Sequence, residues 1–340
     1  MARGPFVSED GEEHDAYERT RRRLRPPPGR RRAAGRPEGR RAGTPGHAEA
    51  AAYLVERLAA VGLEPYGGEA FALPYPDGDG AFANVVGVVP GRDRASPPVL
   101  IGAHYDTAGD LPGADDNAAA VAIALEAARR LVARPAERNV VIALFDAEEP
   151  PCFPTYLMGS TRFVEDQAVG PFHAALIMDL VGHDVPVPGL EDLVFVTGME
   201  TDPALEGVLL GQPTRPGLRF ATALNRYVGD MSDHHVFRLN RVPYLFLSCG
   251  RWPHYHAPSD TPEKLAYPKM AATVGLVDGI VRYVAASSLD GPWEGYDTTL
   301  TDVATLRAAA GGWLEAHGIP LEGREDIDRI AWLLLRQLGV

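Results

Sequence analysis

Cysteine is scarce in this 340-residue chain, with Cys152 and Cys249 the whole supply. Two thiols cannot staple a fold of this length, so its stability must come from a packed core. Lysine is equally rare: Lys264 and Lys269 stand beside 31 arginines. No apolar run approaches the ~18 residues needed to cross a bilayer, which predicts no membrane partner. Nothing after Met1 reads as the apolar stretch of a secretory leader. The acids Glu9, Asp10, Glu12, Glu13, Asp15 and Glu18 argue against a transit peptide, so the expected compartment is cytoplasmic. A Gly-x-Ser-x-Gly elbow is missing too, and Cys152 has no histidine near it in sequence, which disfavours serine and cysteine hydrolysis.

What is present is ordinary globular material, 45% hydrophobic and 23% charged. The net charge of −13 is unevenly placed: residues 1–41 carry 12 arginines against seven acids, and the rest is strongly acidic. An acidic body repels phosphate backbones, so no nucleic-acid partner is expected. Residues 1–45, rich in Pro, Gly and Arg, read as a basic, flexible arm. Residues 46–290 read as one domain, and residues 291–340 as a helical C-terminal extension.

Within the domain, Leu54, Leu58 and Val61 recur at helical spacing ahead of a capping Gly62. Residues 83–89 read as a strand. Short apolar runs follow at 99–103, 140–145, 174–178, 193–196 and 244–247. An alanine-rich helix is expected over 117–133, and further helices over 268–286, 301–317 and 324–338. Apolar strands alternating with helices predict an α/β fold, with a mostly parallel central sheet covered by helices on both faces.

In such sheets, reactive groups collect beyond the carboxyl ends of the strands. Here those ends carry His104-Tyr-Asp106, Asp146-Ala-Glu148-Glu149, Asp179 and His254-Tyr-His256, with Asp115-Asp116 between the first of these strands and its helix. Two imidazoles among carboxylates form a donor set suited to zinc, and His104, Asp116, Glu149, Asp179 and His256 suffice for a pair of ions sharing one ligand. Asp106, two residues beyond His104 in extended chain, points the same way and can orient that imidazole. Glu148 and Glu149 leave their strand in different directions, so one can ligate while the other faces water.

Six segments together resemble the two-zinc exopeptidases, a family of zinc aminopeptidases whose fold also hosts glutaminyl cyclases. They are Gly102-Ala-His-Tyr-Asp106, Pro112-Gly-Ala-Asp-Asp-Asn117, Ala147-Glu-Glu149 with Met158-Gly-Ser160, Met178-Asp179, Ser232-Asp-His234 and Tyr255-His256-Ala-Pro-Ser-Asp260-Thr261. Gly39-Arg-Arg-Ala-Gly-Thr-Pro-Gly46 resembles a lead-in of the same family. Each tag is weak alone; their order is the signal. The resemblance implies a zinc-exopeptidase-like (phosphorylase/hydrolase-like) fold, with residues 46–290 as the catalytic domain.

It also implies two zinc ions per chain, with Asp116 bridging, His104 and Asp179 completing one site, Glu149 and His256 the other, and Glu148 as general base. Asp116 is preferred over Asp115, and His256 over His254, because they match the family's tags. A cis peptide is expected after Asp116. Tyr227, Ser232, Asp233 and Tyr255 are candidate substrate-binding residues, His234 and His235 structural or substrate-side ones. The remaining histidines, including His47 and His183, read as ordinary surface or core residues. The implied activity is hydrolysis of the first peptide bond of a peptide with a free N-terminus. Glutaminyl cyclisation with one zinc is the alternative, favoured by Asp179-Leu180-Val181-Gly182, and a non-catalytic binding module is the next.

Overall fold

The computed structural model describes residues 39–76, 82–293 and 295–338, together with Arg19. Most of the expected arm therefore lies outside the described residues. Helix α1 (Pro45–Val61) starts where Thr44 accepts the His47 N–H on its side chain and proline takes the first turn; it stops at Gly62, whose φ of 94° is left-handed.

Among the described residues, nine strands form one sheet. They are β1 (Glu64–Pro65), β2 (Ala72–Tyr75), β3 (Phe82–Val89), β4 (Val99–His104), β5 (Val140–Phe145), β6 (Ala174–Met178), β7 (Leu193–Thr197), β8 (Arg219–Thr222) and β9 (Tyr244–Ser248). Their order is β1-β3-β5-β4-β6-β9-β7-β8, with β2 also on β3. The centre, β5-β4-β6-β9, is parallel. The flanks are mixed: β3 runs antiparallel to β5, β7 antiparallel to β9, and β8 parallel to β7. The mostly parallel expectation thus describes the centre of a mixed sheet. An apolar run reports burial on both faces and not strand direction, so the antiparallel flanks left no mark in the pattern.

Both faces are covered, and the strands show it residue by residue. Val99, Ile101 and Ala103 of β4 join the larger core cluster, while Leu100 joins the smaller one behind the sheet. Val140, Ile142 and Leu144 of β5 likewise part from Val141, Ala143 and Phe145. Gly102 is the exception on β4: a Cβ there would stand 2.7 Å from side-chain atoms of both Ile177 and Phe145, which would have to shift to admit it.

The helices are α2 (Ala119–Ala133), α3 (Gly159–Arg162), α4 (Ala204–Leu210), α5 (His234–Leu239), α6 (Tyr267–Ala286), α7 (Thr299–Ala316) and α8 (Arg324–Leu338). The extension is part of the packed body. Thr222 of β8 bonds through its hydroxyl to Asp302 at 2.6 Å, and Leu306, Ile327, Ile330 and Leu334 belong to the same core cluster as the sheet. Among the described residues, no helix is long and apolar enough to cross a membrane.

Candidate active site

Four loops at the carboxyl ends of β4, β5, β6 and β9 bring carboxylates and imidazoles into one pocket. Helix α2 begins two residues later than its alanine pattern suggests, because Asp116 (φ −108°, ψ 85°) and Asn117 leave helical values and the peptide between them is cis. Gly113, at φ 56°, lets this turn close: a Cβ would lie 2.3 Å from the Asp116 carbonyl oxygen. Ala147, Leu180 and His256 also take left-handed φ values of 50°, 54° and 49°. His256 is a ligand candidate, Leu180 follows Asp179 and Ala147 precedes Glu148, in backbone that a side chain adopts only where its surroundings enforce it.

Asp116 lies between the two imidazoles. Its Oδ1 is 3.2 Å from His104 Nε2, and its Oδ2 is 3.1 Å from His256 Nε2. Asp179 Oδ1 stands 3.7 Å from His104 Nε2, and Glu149 Oε2 stands 3.1 Å from His256 Nε2. The donor atoms of His104, Asp116 and Asp179 lie within 4.8 Å of one another, and so do those of Asp116, Glu149 and His256. Glu148 reaches toward the first group, its Oε2 3.8 Å from His104 Nε2. All five ligand candidates and Glu148 are therefore gathered at one place.

A second layer of bonds holds these groups. Asp106 Oδ1 is 3.2 Å from His104 Nδ1, and its two oxygens accept the N–H groups of Glu148 and Glu149 at 3.0 and 3.1 Å. Asp260 accepts the N–H groups of Asp115 and Asp116, and the Asn117 amide donates to the Met178 carbonyl at 2.9 Å. Asp115 takes no part in the ligand group; it accepts from Gly182 and pairs with buried His183 at 2.6 Å. Asp146 is turned away as well, paired with buried His47 at 2.6 Å.

Arg40 fills the space beneath. Its guanidinium donates to the carbonyls of Tyr105, Pro112 and Gly113, and its N–H to Thr107 Oγ1. The single loop residue Arg40 thus ties the His104 turn to the Asp116 turn. The sequence offered only the lead-in tag as a signal for it, and Asp260 only as a spacing marker for His256.

Crowding of acids sets the electrostatics. Burial pushes the Glu149 carboxyl up to about 7 and Glu148 well above its ordinary range. For Asp116 burial opposes the charge, but the imidazoles of His104 and His256 close against it prevail and hold its carboxyl below the usual range. The neighbouring carboxylates of Asp116 and Glu149 overcome burial at His256 and raise it to about 10.

The other candidates are spread around this centre. Tyr255 stacks on His256 with ring centroids 3.8 Å apart and lines the cavity above the acids. Tyr227 lines the same cavity, its hydroxyl donating to Asp328. Ser232 and Asp233 are fully buried and do not line it; burial raises the Asp233 carboxyl to about 7. His234 stacks on Phe246 and bonds the Gly229 carbonyl, His235 bonds the Ser232 carbonyl, and His254 bonds Ser259 on the rim.

The model of peptidase family M28 matches residues 84–278, more than half of the chain and the whole stretch that carries these ligand candidates. The chain belongs to this family. Among curated proteins it is 27% identical over 237 residues to the uncharacterized protein YfbL of Escherichia coli, covering 59% of this chain and 70% of that one. Its fold is shared with the LapA aminopeptidase of Legionella pneumophila (TM-score 0.59, 19% identity, 85% of this chain and 78% of that one). It is equally shared with the glutaminyl cyclase of Bacteroides thetaiotaomicron (TM-score 0.58, 18% identity, 79% and 97%). M28 membership makes this chain a peptidase-family protein, and the two structural likenesses speak for its architecture.

Proposed function

We propose that this protein is a metal-dependent aminopeptidase that holds two zinc ions around Asp116 and uses Glu148 as its general base. The observation that carries the reading is the position of Asp116, one oxygen toward His104 and the other toward His256. The donors fit the metal: imidazole and carboxylate are zinc ligands, and among the described residues the buried His104 Nε2 and Asp179 Oδ1 find no hydrogen-bond partner of good geometry. His104, Asp116 and Asp179 would hold one ion, and Asp116, Glu149 and His256 the other. Bound there, the ions supply positive charge that polarises a scissile carbonyl and acidifies an attacking water.

The chain's own residues do the rest. Asp106 fixes the His104 tautomer and, through the backbone of Glu148 and Glu149, the angle at which both carboxylates leave β5. Glu148, raised by burial, accepts the proton of the attacking water and returns it to the nitrogen of the departing amine, ending as it began. The free α-amine of a substrate would bind beside this centre, which brings the first peptide bond to the reacting groups.

Metal analysis of purified protein, together with a panel of aminoacyl-4-nitroanilides and an N-terminal glutaminyl peptide, tests this reading. Two zinc ions per chain and release of free amino acids are expected. One tightly held ion with pyroglutamate as product would assign cyclisation instead, and no metal uptake would leave a binding module.

A further inference from the structure

The bonds of Asp106 secure one part of the ligand group, the His104 imidazole and the backbone of Glu148 and Glu149. Asp116, Asp179 and His256 stand on turns that these bonds leave out. Those three turns meet at His183, which is wholly buried. In sequence His183 follows Asp179 by four residues, on the loop that leaves β6. Its Nδ1 donates to Asp115 Oδ2 at 2.6 Å, and Asp115 is the residue before Asp116. Its ring stacks on Trp252, with centroids 4.5 Å apart and planes 16° from parallel, and Trp252 stands four residues before His256.

The fit is close on every side. Asp115 commits both oxygens to this segment, since its Oδ1 accepts the Gly182 N–H at 2.7 Å. Gly182 permits that approach: a Cβ there would stand 2.8 Å from Asp115 Oδ1 and 2.5 Å from the Ala119 Cβ. Buried Lys269 of α6 donates to the His183 carbonyl at 2.9 Å, and the Ala266 N–H donates to the Gly182 carbonyl at 2.8 Å. The backbone that carries the imidazole is therefore fixed independently of the imidazole's own contacts. Trp252 in turn meets His254 edge-on at 4.6 Å, which carries the stack toward the His256 turn.

We infer that His183 is a positioning residue, a clasp between Asp115 and Trp252 that keeps the turns of Asp116, Asp179 and His256 in one arrangement for the metal pair. This rests on the two-zinc reading and goes beyond it. Neither His183 nor Trp252 falls in the segments that resemble the exopeptidases. An imidazole suits the task because its edge can bond a carboxylate while its face packs on a second ring. Without the edge, Asp115 Oδ2 loses its buried donor and the Asp116 turn loosens from the Asp179 loop. Without the face, the Trp252 turn loosens from both. Ligands must be held within about 0.5 Å of their working positions, so either loss should let zinc leave sooner.

The test follows zinc release from the loaded protein to a colorimetric chelator and the visible spectrum of the cobalt-loaded protein, at a temperature where every variant is folded. His183→Phe keeps a ring against Trp252 and drops the bond to Asp115. It should speed zinc release about 10- to 100-fold and change the cobalt spectrum. His183→Asn, whose amide N–H can reach Asp115, should release zinc at least about threefold more slowly than the phenylalanine variant. Trp252→Leu removes the stacked ring and leaves the Asp115 bond; it should speed release about 3- to 10-fold and serves if His183→Phe does not fold. Val208→Ala, in the buried face of α4 and outside these turns, should lower the melting temperature and move neither readout. Wild-type release rates and an unchanged cobalt spectrum in both H183F and W252L would overturn the clasp and leave the two-zinc reading intact. Release from V208A as fast as from H183F would do the same, since general loss of stability would then account for the effect. A wild-type protein that takes up neither zinc nor cobalt would overturn the reading and the clasp together.

Discussion

Asp260 accepts the backbone N–H groups of both Asp115 and Asp116, at 2.9 and 3.1 Å, so the loop that ends in His256 also holds the turn that presents Asp116. Burial raises the Asp260 carboxyl to about 6, and the two N–H donors favour its charged form. Asp260→Ala should loosen both groups that share Asp116, lowering zinc affinity about 10- to 100-fold, as the loss of a bond that orients a ligand commonly does. Asp260→Asn, which keeps one acceptor oxygen, should fall between. Competition against a chelator of known affinity reads the difference; equal affinity in wild type and the alanine variant would remove Asp260 from the metal site.

Glu148 differs from its neighbour by what it faces. Glu149 is engaged with His256, whereas Glu148 points toward His104 and keeps a strongly raised carboxyl. Glu148→Gln preserves shape and removes the proton acceptor. Zinc content should stay at its wild-type level while kcat drops by about 10²- to 10⁴-fold, the usual scale for a lost general base. A glutamine variant with near-normal kcat would show that the proton goes elsewhere.

Zinc uptake by the metal-free protein should depend on pH with a definite sign. His256, raised to about 10, is cationic at neutral pH, and Glu149, raised to about 7, is half protonated there. Both must lose their protons to ligate, so uptake should release more than one proton near pH 7. Affinity should then rise with pH, by about tenfold per unit for each proton displaced, and fall away below pH 7. Calorimetry in buffers of different ionisation enthalpy counts those protons, and a buffer-independent heat would contradict the assignment.

The parts of the fold legible in the sequence were those that local pattern determines. The strands at 99–103, 140–145 and 174–178 could be read because burial on both faces leaves continuous apolar runs, and the helix ending at Gly62 because its cap is written in adjacent residues. The strand Arg219–Thr222 carries no such run, and helices α4 and α5 span seven and six residues, too short for a helical period to stand out. The candidate ligands could be picked out because each follows a buried strand or its turn. What holds them could not: Asp260 and Arg40 act across separations of 144 and 65 residues or more, and such pairings exist only once the sheet has assembled. That Ile327, Ile330 and Leu334 of α8 line the cavity escaped for the same reason, since the helix's spacing shows that one face is covered but not that a cavity shares in covering it.

Arg40 gives the last prediction, and its geometry sets the size of the effect. One guanidinium satisfies the carbonyls of Tyr105, Pro112 and Gly113 at 2.7, 2.8 and 2.8 Å. Three acceptors in different directions suit the rigid fork of arginine and not the single point of a lysine ammonium. Arg40→Ala takes away the side-chain donor of the Tyr105 and Pro112 carbonyls, at about 1–3 kcal/mol for each one that water cannot reach, while the Gly113 carbonyl keeps the Ala118 N–H. It also frees the His104 turn to move against the Asp116 turn. Arg40→Ala should therefore lower the melting temperature of the metal-free protein and speed zinc loss to a chelator, and Arg40→Lys should recover only a minor part of either. If lysine restored both fully, charge rather than the threefold bonding would be what Arg40 contributes.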